Sequence, residues 1–231
     1  DCVMTGSVGK RGEPDLDVRQ DVAAMLNETN IARISWRMKD THMPEVLLEK
    51  HPLIKQMGKY GVALPLLAFL QPSDAGEQAL IETVLAYLPE NVARCADLFA
   101  GNGTFTGALV QKSIDVAAYE SDEMAVQAMK NAGHEKAYQR NLFKDPLRDK
   151  ELDAFDLIVL DPPRAGAKAQ CEALTESNAP YVLYVSCNPA SFMRDALTLT
   201  QGGYALKRLK LIDQFAWSAH SEVVSLFSRL V

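Results

Sequence analysis

With 48% hydrophobic and 23% charged content over 231 residues, the chain has an ordinary globular composition, long enough for one large domain or a domain plus part of another. It holds no run of about 18 apolar residues that would span a bilayer and no signal-like start, so a cytoplasmic protein is expected, with neither membrane insertion nor export. A net charge of −6 argues against broad, nonspecific adhesion of this chain to nucleic acid and leaves room for a local basic groove or for an RNA-binding module outside these residues.

In chain order, residues 1–70 read as part of a small α+β layer, and a first residue other than Met leaves room for a preceding segment. Leu16 to Leu26 has helical periodicity, and Ile31 to Met38 alternates as a strand. His42 to Lys59, polar and with two prolines, reads as loop and short helix, and the apolar Gly61 to Leu70 as strand. From Gln71 the rhythm changes. Ser73 is a plausible N-cap for a helix whose greasy face carries Ala79, Leu80, Val84, Leu85 and Leu88. Strands and helices then alternate. Strands are predicted over Ala93–Phe99, Ile114–Glu120, Ala137–Arg140, Phe155–Leu160 and Tyr181–Ser186. The helices between and after them are Phe105–Lys112, Asp122–Ala132, Lys168–Glu176 and Ser191–Thr200. Tyr204–Leu211 and Val223–Ser228 close the chain as a hairpin that adds an antiparallel edge. This pattern predicts an α/β fold with a mostly parallel sheet covered on both faces, occupying residues 71–231.

The chemistry-bearing residues fall at strand ends, where open α/β sheets bind ligands. Asp97 to Thr106 (DLFAGNGTFT) joins the first strand of this region to its helix, and Gly101 and Gly103 let the backbone turn sharply beside a ligand. The stretch is neither G-x-G-x-x-G nor a phosphate loop, which favours S-adenosylmethionine over a dinucleotide; Asp97 itself also reads as a plain turn carboxylate. Glu120 ends the next strand, where an acid can accept both ribose hydroxyls, and Asn141 follows the third, placed to meet a base edge. Asp161-Pro162-Pro163-Arg164 is a stiff loop that fixes where Asp161 points, suited to gripping a planar base. Cys187 ends a buried strand just before Asn188-Pro189 and reads either as a nucleophile or as a small buried hydrophobe. Cys2, Cys95, Cys171 and Cys187 include no C-x-x-C pair, and the histidines complete no zinc pattern, so no metal site is expected. Glu222, two residues after His220, could serve as a general base if the fold brings it to Cys187; otherwise it is a surface acid.

Taken together, the chain resembles the RNA uracil-5-methyltransferases. The resemblance rests on Gln71, DLFAGNGTF from Asp97, Glu120, Asn141, DPPRAGA from Asp161, SCNP from Ser186 and H-x-E from His220, and covers about residues 70 to 231. It implies a Rossmann-like, class I methyltransferase fold with a seven-stranded sheet, and it makes residues 1–70 part of the family's central α+β insertion. It also implies Cys187 as nucleophile, Glu222 as the base that removes the C5 proton, and Asp161 beside both cofactor and uracil. Gln71, Phe99, Gly101, Gly103, Thr104, Glu120 and Asn141 would line the S-adenosylmethionine site. Thr104 stands where the family often has Asn. Neither the family's N-terminal oligonucleotide-binding domain nor the cysteine cluster that holds an iron–sulfur centre in some members lies within these residues. The expected reaction is methylation of a flipped-out uridine in RNA, ribosomal rather than transfer RNA, through a cysteine–C6 adduct. Three alternatives stand beside it: a cytosine-5 enzyme, an amino-group methyltransferase, and a non-catalytic RNA-binding scaffold.

Overall fold

A computed structural model describes residues 2–6, 14–38, 43–213 and 221–230. It resolves into two compact units, residues 1–55 with 63–68 and residues 56–62 with 69–231.

In the first unit, β1 (Cys2–Gly6) runs parallel to β2 (Arg33–Met38), and β2 pairs antiparallel with β3 (Glu45–Glu49). Helix α1 (Leu16–Glu28) starts at Asp15, whose carboxylate accepts the Val18 amide, and buries Val22 and Leu26 against Ile34. Two expectations change here. The polar stretch after residue 42 contains β3 and β4 (Ile54–Met57), and the strand expected from Gly61 to Leu70 is only β5 (Tyr60–Ala63). β3 is mostly exposed, so its sequence lacks the alternation that marks a half-buried strand. Among the described residues β5 pairs only with β4, and Pro65 and a left-handed Leu67 (φ 60°) follow it. Leu64 and Pro65 carbonyls instead accept the Arg33 guanidinium at 3.0 and 3.2 Å.

The second unit follows the predicted alternation. Helix α2 (Asp74–Ala86) is capped by Ser73, whose Oγ accepts the Gly76 amide at 3.1 Å. Then come β6 (Arg94–Leu98), α3 (Thr104–Gln111), β7 (Asp115–Glu120), α4 (Glu123–Asn131), β8 (Ala137–Gln139), α5 (Asp149–Leu152) and β9 (Leu157–Leu160). The chain continues through α6 (Lys168–Thr175), β10 (Tyr181–Ser186), α7 (Pro189–Gln201), β11 (Tyr204–Ile212) and β12 (Glu222–Arg229). The sheet order is β11-β12-β10-β9-β6-β7-β8, with β12 the reversed strand. This is the mostly parallel seven-stranded Rossmann-like sheet that the alternation predicts.

Both faces of the sheet are covered, which is why its central strands are apolar throughout. Ile158, Leu160, Val182 and Tyr184 pack with Cys171 and Leu174 of α6 and Phe192 and Leu199 of α7. Leu157, Val159, Leu183 and Val185 point the other way, toward Leu80 and Val84 of α2 and Phe105 and Leu109 of α3. Truncating one such fully buried leucine to Ala costs ~2–5 kcal/mol.

The closing hairpin is present, with one refinement. The reversed β12 is not the edge; it inserts between β10 and β11. β12 is buried from Glu222 to Phe227, whereas β11 exposes Lys207, Arg208 and Lys210, side chains that suit an edge. No helix among the described residues is long and apolar enough to cross a membrane.

Candidate active site

The carboxyl ends of β6, β7, β9 and β10, with the start of the reversed β12, bring the candidate residues to one side of the sheet. After β6 the backbone passes through two left-handed residues, Phe99 (φ 64°) and Gly101 (φ 55°), and enters α3 from Gly103 (φ 90°). A Cβ on Gly101 would meet nothing within 4 Å, so this peptide borders open space, and its left-handed φ is what selects glycine. On Gly103 a Cβ would also press on Met129 Sδ at 3.0 Å.

Glu120 holds this turn from the end of β7. Its Oε2 accepts the Gly101 amide at 3.0 Å, and its Oε1 accepts the Ser121 and Asp122 amides at 2.6 and 2.9 Å. With a single donor, Oε2 keeps accepting capacity for a hydroxyl. Asn102, buried in the turn, donates Nδ2 to the Phe69 carbonyl at 3.1 Å, two residues before the half-buried Gln71. Its Oδ1 finds no partner among the described residues. Thr104 turns its hydroxyl to Met57 Sδ at 3.6 Å.

Asn141 is exposed, and its Oδ1 accepts the Phe143 and Lys144 amides at 3.1 and 3.3 Å. That oxygen shapes its own loop, which sets the Phe143 ring 5.3 Å from that of Phe99. Asp97 is not a turn carboxylate. It lies wholly buried inside β6, accepts the Thr106 hydroxyl at 2.5 Å, and leaves its Oδ1 without a partner among the described residues. Burial pushes its carboxyl up to about 7 against the Thr106 hydrogen bonds, and Glu120 adds to the rise.

The other half of the site comes from pairing register. The β10–β12 ladder ends at Ser186 opposite Val223, so the next residues, Cys187 and Glu222, face each other across its end. The β9–β10 ladder ends at Leu160 opposite Tyr184, and the Asp161 amide donates to the Leu98 carbonyl at 3.2 Å. Glu222 is only 4% exposed; Cys187 and Asp161 are half-buried. The three groups feel one another. Burial raises the Cys187 thiol, the negative charges of Glu222 and Asp161 raise it further, and Arg164 opposes them. Burial, then Glu222 and Asp97, hold the Asp161 carboxyl well above its ordinary range. His220 lies outside the described residues.

A family model described as tRNA (uracil-5-)-methyltransferase matches residues 62–230. The chain belongs to this family. An RNA methyltransferase of Mesorhizobium japonicum, itself uncharacterised, is 41% identical over 192 residues, covering 80% of this chain and 46% of that one. The 23S rRNA (uracil(1939)-C(5))-methyltransferase RlmD of Chromohalobacter salexigens is 39% identical over 165 residues, 70% of this chain and 35% of that protein. The chain thus spans about half, or less, of these relatives. Among solved structures, the Pyrococcus abyssi tRNA (uracil-54, C5)-methyltransferase in complex with S-adenosyl-L-homocysteine has the same fold at 19% identity. The TM-score is 0.76, over 97% of this chain and 55% of that one.

For a member of the uracil-5-methyltransferase family, the structure adds residues that periodicity and spacing do not single out. Asn102 ties the glycine turn to the segment before Gln71. Phe143 closes on Phe99, and only the exposed aromatic just after Asn141 hints at it in the sequence. Asp195, inside α7, carries no signal in the sequence at all, because its partners lie 11 and 28 residues away.

Proposed function

We propose that the protein methylates C5 of a uridine in RNA, ribosomal rather than transfer RNA, using S-adenosyl-L-methionine and a covalent cysteine adduct. The observation that carries this reading is the end of the β10–β12 ladder, where a thiol, Cys187, and a carboxylate, Glu222, face each other with Asp161 at the neighbouring strand end. Family membership supports the chemistry, and the similarity to a 23S rRNA enzyme favours ribosomal RNA.

The cradle fits S-adenosyl-L-methionine. Gly101 borders open space, Asn102 keeps a buried oxygen without a partner among the described residues, and Glu120 presents a carboxylate to the same turn. Gln71, Phe99, Gly101, Gly103, Thr104, Glu120, Asn141 and Asp161 are the residues assigned to hold it. When bound, the cofactor supplies an electrophilic methyl group.

The protein's own residues do the rest. Uracil C5 is too weak a nucleophile to be methylated directly. Cys187 Sγ, having lost its proton, adds to C6 and places the ring's electrons on C5 and O4, which makes C5 nucleophilic. Once C5 carries the methyl group, Glu222 takes the C5 proton, C5=C6 re-forms, and Sγ leaves. Asp161 orients the ring; burial and the negative charges of Glu222 and Asp97 raise its carboxyl, which favours the protonated form that can donate to a base carbonyl. The thiol is also raised, so its proton must pass to solvent before attack, and the positive charge of Arg164, which opposes the rise, favours the thiolate. The target base must leave its stack to reach this edge, so single-stranded or flipped-out RNA is the expected substrate.

The test is transfer of labelled methyl groups to unmodified ribosomal RNA, followed by digestion of the product. 5-Methyluridine supports the proposal, and 5-methylcytidine replaces it with the cytosine-5 reading. Cys187→Ala should transfer nothing, whereas Glu222→Gln should stall as a protein–RNA adduct on a denaturing gel. Normal turnover without adduct in Glu222→Gln would remove that residue as the base.

A further inference from the structure

The loop from Asp161 to Ala167 has no ladder or helix to hold it. The Asp161 amide anchors its start to the Leu98 carbonyl of β6 at 3.2 Å, a turn between the Gly166 amide and the Pro163 carbonyl (2.8 Å) gives it local shape, and residues 164–167 are gripped by α7. Asn188 Nδ2 donates to the Arg164 carbonyl at 2.9 Å, and Arg194 Nη2 donates to the Ala165 carbonyl at 2.9 Å. The Ala167 amide donates to Asp195 Oδ2 at 2.7 Å. Asp195 has no exposed surface, yet its carboxylate is saturated. Oδ2 also accepts the Tyr184 hydroxyl at 2.6 Å, and Oδ1 accepts Arg194 Nε at 2.8 Å, with Nη2 at 2.7 Å.

Tyr184 sits three residues before Cys187 on β10. One buried carboxylate therefore joins three pieces of chain: the strand that carries the thiol, the loop that begins with Asp161, and α7. The fit is tight. Gly166 is left-handed (φ 77°), and a Cβ there would stand 2.4 Å from Asp195 Oδ2, 2.6 Å from Arg194 Nη2 and 2.9 Å from Ser191 Cβ. A fully desolvated charge is retained at a cost unless every lone pair is used, and here each oxygen has two donors.

We infer that Asp195, with Arg194, is a positioning residue that sets the Asp161 loop against the Cys187 strand end. This rests on the methyltransferase reading for its consequence, though not for its geometry. Asp161 and Cys187 lie on different strand ends with no ladder bond directly between them. Their separation is transmitted through Asp195. A displacement of about 1 Å in such a pair costs up to roughly 100-fold in rate, because the thiol and the ring-orienting group must meet one base together. Of the residues assigned to the cofactor, only Asp161 lies on the braced loop; the glycine turn after β6 and Glu120 of β7 do not.

The experiment uses Asp195→Asn in the intact protein, with Gly166→Ala as a second variant that leaves Asp195 in place. Three quantities are read: amide hydrogen exchange over residues 161–167, cofactor affinity by calorimetry, and adduct formation on RNA carrying 5-fluorouridine. After methyl transfer, fluorine at C5 cannot be removed by a base, so the methylated adduct persists, and at saturating cofactor its rate reports Cys187 attack and methyl transfer together. In both variants, exchange over 161–167 should rise while the protection of β9 and β10 holds. Adduct formation should slow by roughly 10- to 100-fold, and cofactor affinity, to which Asp161 is one contributor among several, should fall by much less. Unchanged loop protection or an unchanged adduct rate would overturn the inference, as would a fall in cofactor affinity that matches the fall in rate. If Asp195→Asn does not fold, the same outcomes in Gly166→Ala decide. If the unaltered protein forms no adduct while the variants still loosen the loop, the catalytic reading fails and the brace stands.

Discussion

The glycine turn after β6 and the Asp161 loop after β9 sit at adjacent strand ends and are held in different ways. The first takes its shape from its own glycines, which supply the left-handed backbone, and is tied by Glu120, one strand over, which accepts the Gly101 amide, and by Asn102, which donates to the Phe69 carbonyl. The second is held from outside, by Asn188, Arg194 and Asp195 of a helix that starts more than 20 residues later in the chain. A locally determined turn tolerates change elsewhere in the fold, whereas an externally braced loop is only as well placed as its brace. Cofactor binding and base chemistry should therefore be separable by mutation.

The largest effect expected is that of Cys187→Ser. Methyl transfer should fall by three orders of magnitude or more, roughly as for loss of other enzymatic nucleophiles, with cofactor affinity intact by calorimetry. A loss of affinity in parallel would show that the two regions are not separable.

Next is the acid buried beneath the glycine turn. The folded protein keeps the Asp97 proton up to about pH 7, while the unfolded chain releases it near pH 4. Wild-type stability should therefore fall relative to Asp97→Asn as pH rises through that window, by about 1.4 kcal/mol per unit, and by no more above it. Urea unfolding of both proteins between pH 4 and 8 measures this; a constant difference would mean that Asp97 is ionised throughout.

Gly166→Ala and Gly101→Ala form a sharper pair. The first should lower turnover by roughly 10- to 100-fold and cofactor affinity by much less, through Asp161 alone. The second forces a Cβ into left-handed backbone at about 1–2 kcal/mol, and should weaken cofactor binding by about 5- to 30-fold. Equal effects on both readouts in both variants would erase the distinction between the regions.

The smallest effect concerns the thiol itself. Glu222 raises it, so Glu222→Gln should shift the alkylation midpoint of Cys187 to lower pH. Peptide mapping after iodoacetamide treatment across pH measures the shift, and an upward shift would mean that the two groups do not face each other.

Much of this was legible in the sequence. Regular β/α alternation from Gln71 onward sets the fold class, because each apolar run has the length and period of one element. Asp161, Cys187 and Glu222 were legible as candidates because each lies beside a strand boundary marked by Pro, Asn or a switch in periodicity. Other features were not legible, for physical reasons. β3 is short and mostly exposed, and β4 is only four residues long with an exposed Ile54, so neither leaves a hydrophobic pattern to read. Asp97 reads as a turn acid beside two glycines, and only its burial shows it to be interior. Asn141 occupies a suitable position, but its amide oxygen is spent on its own loop.

By itself, then, the sequence determined which residue types stand at which strand ends, since propensity, turn chemistry and hydrophobic period act over a few neighbouring residues. Only the tertiary structure decided which of those ends meet. Insertion of β12 between β10 and β11 brings Glu222 to Cys187, and Asp195 ties the Asp161 loop to the Cys187 strand. Strand order and a buried carboxylate's choice of donors depend on contacts between residues far apart in the chain, and no local pattern encodes them.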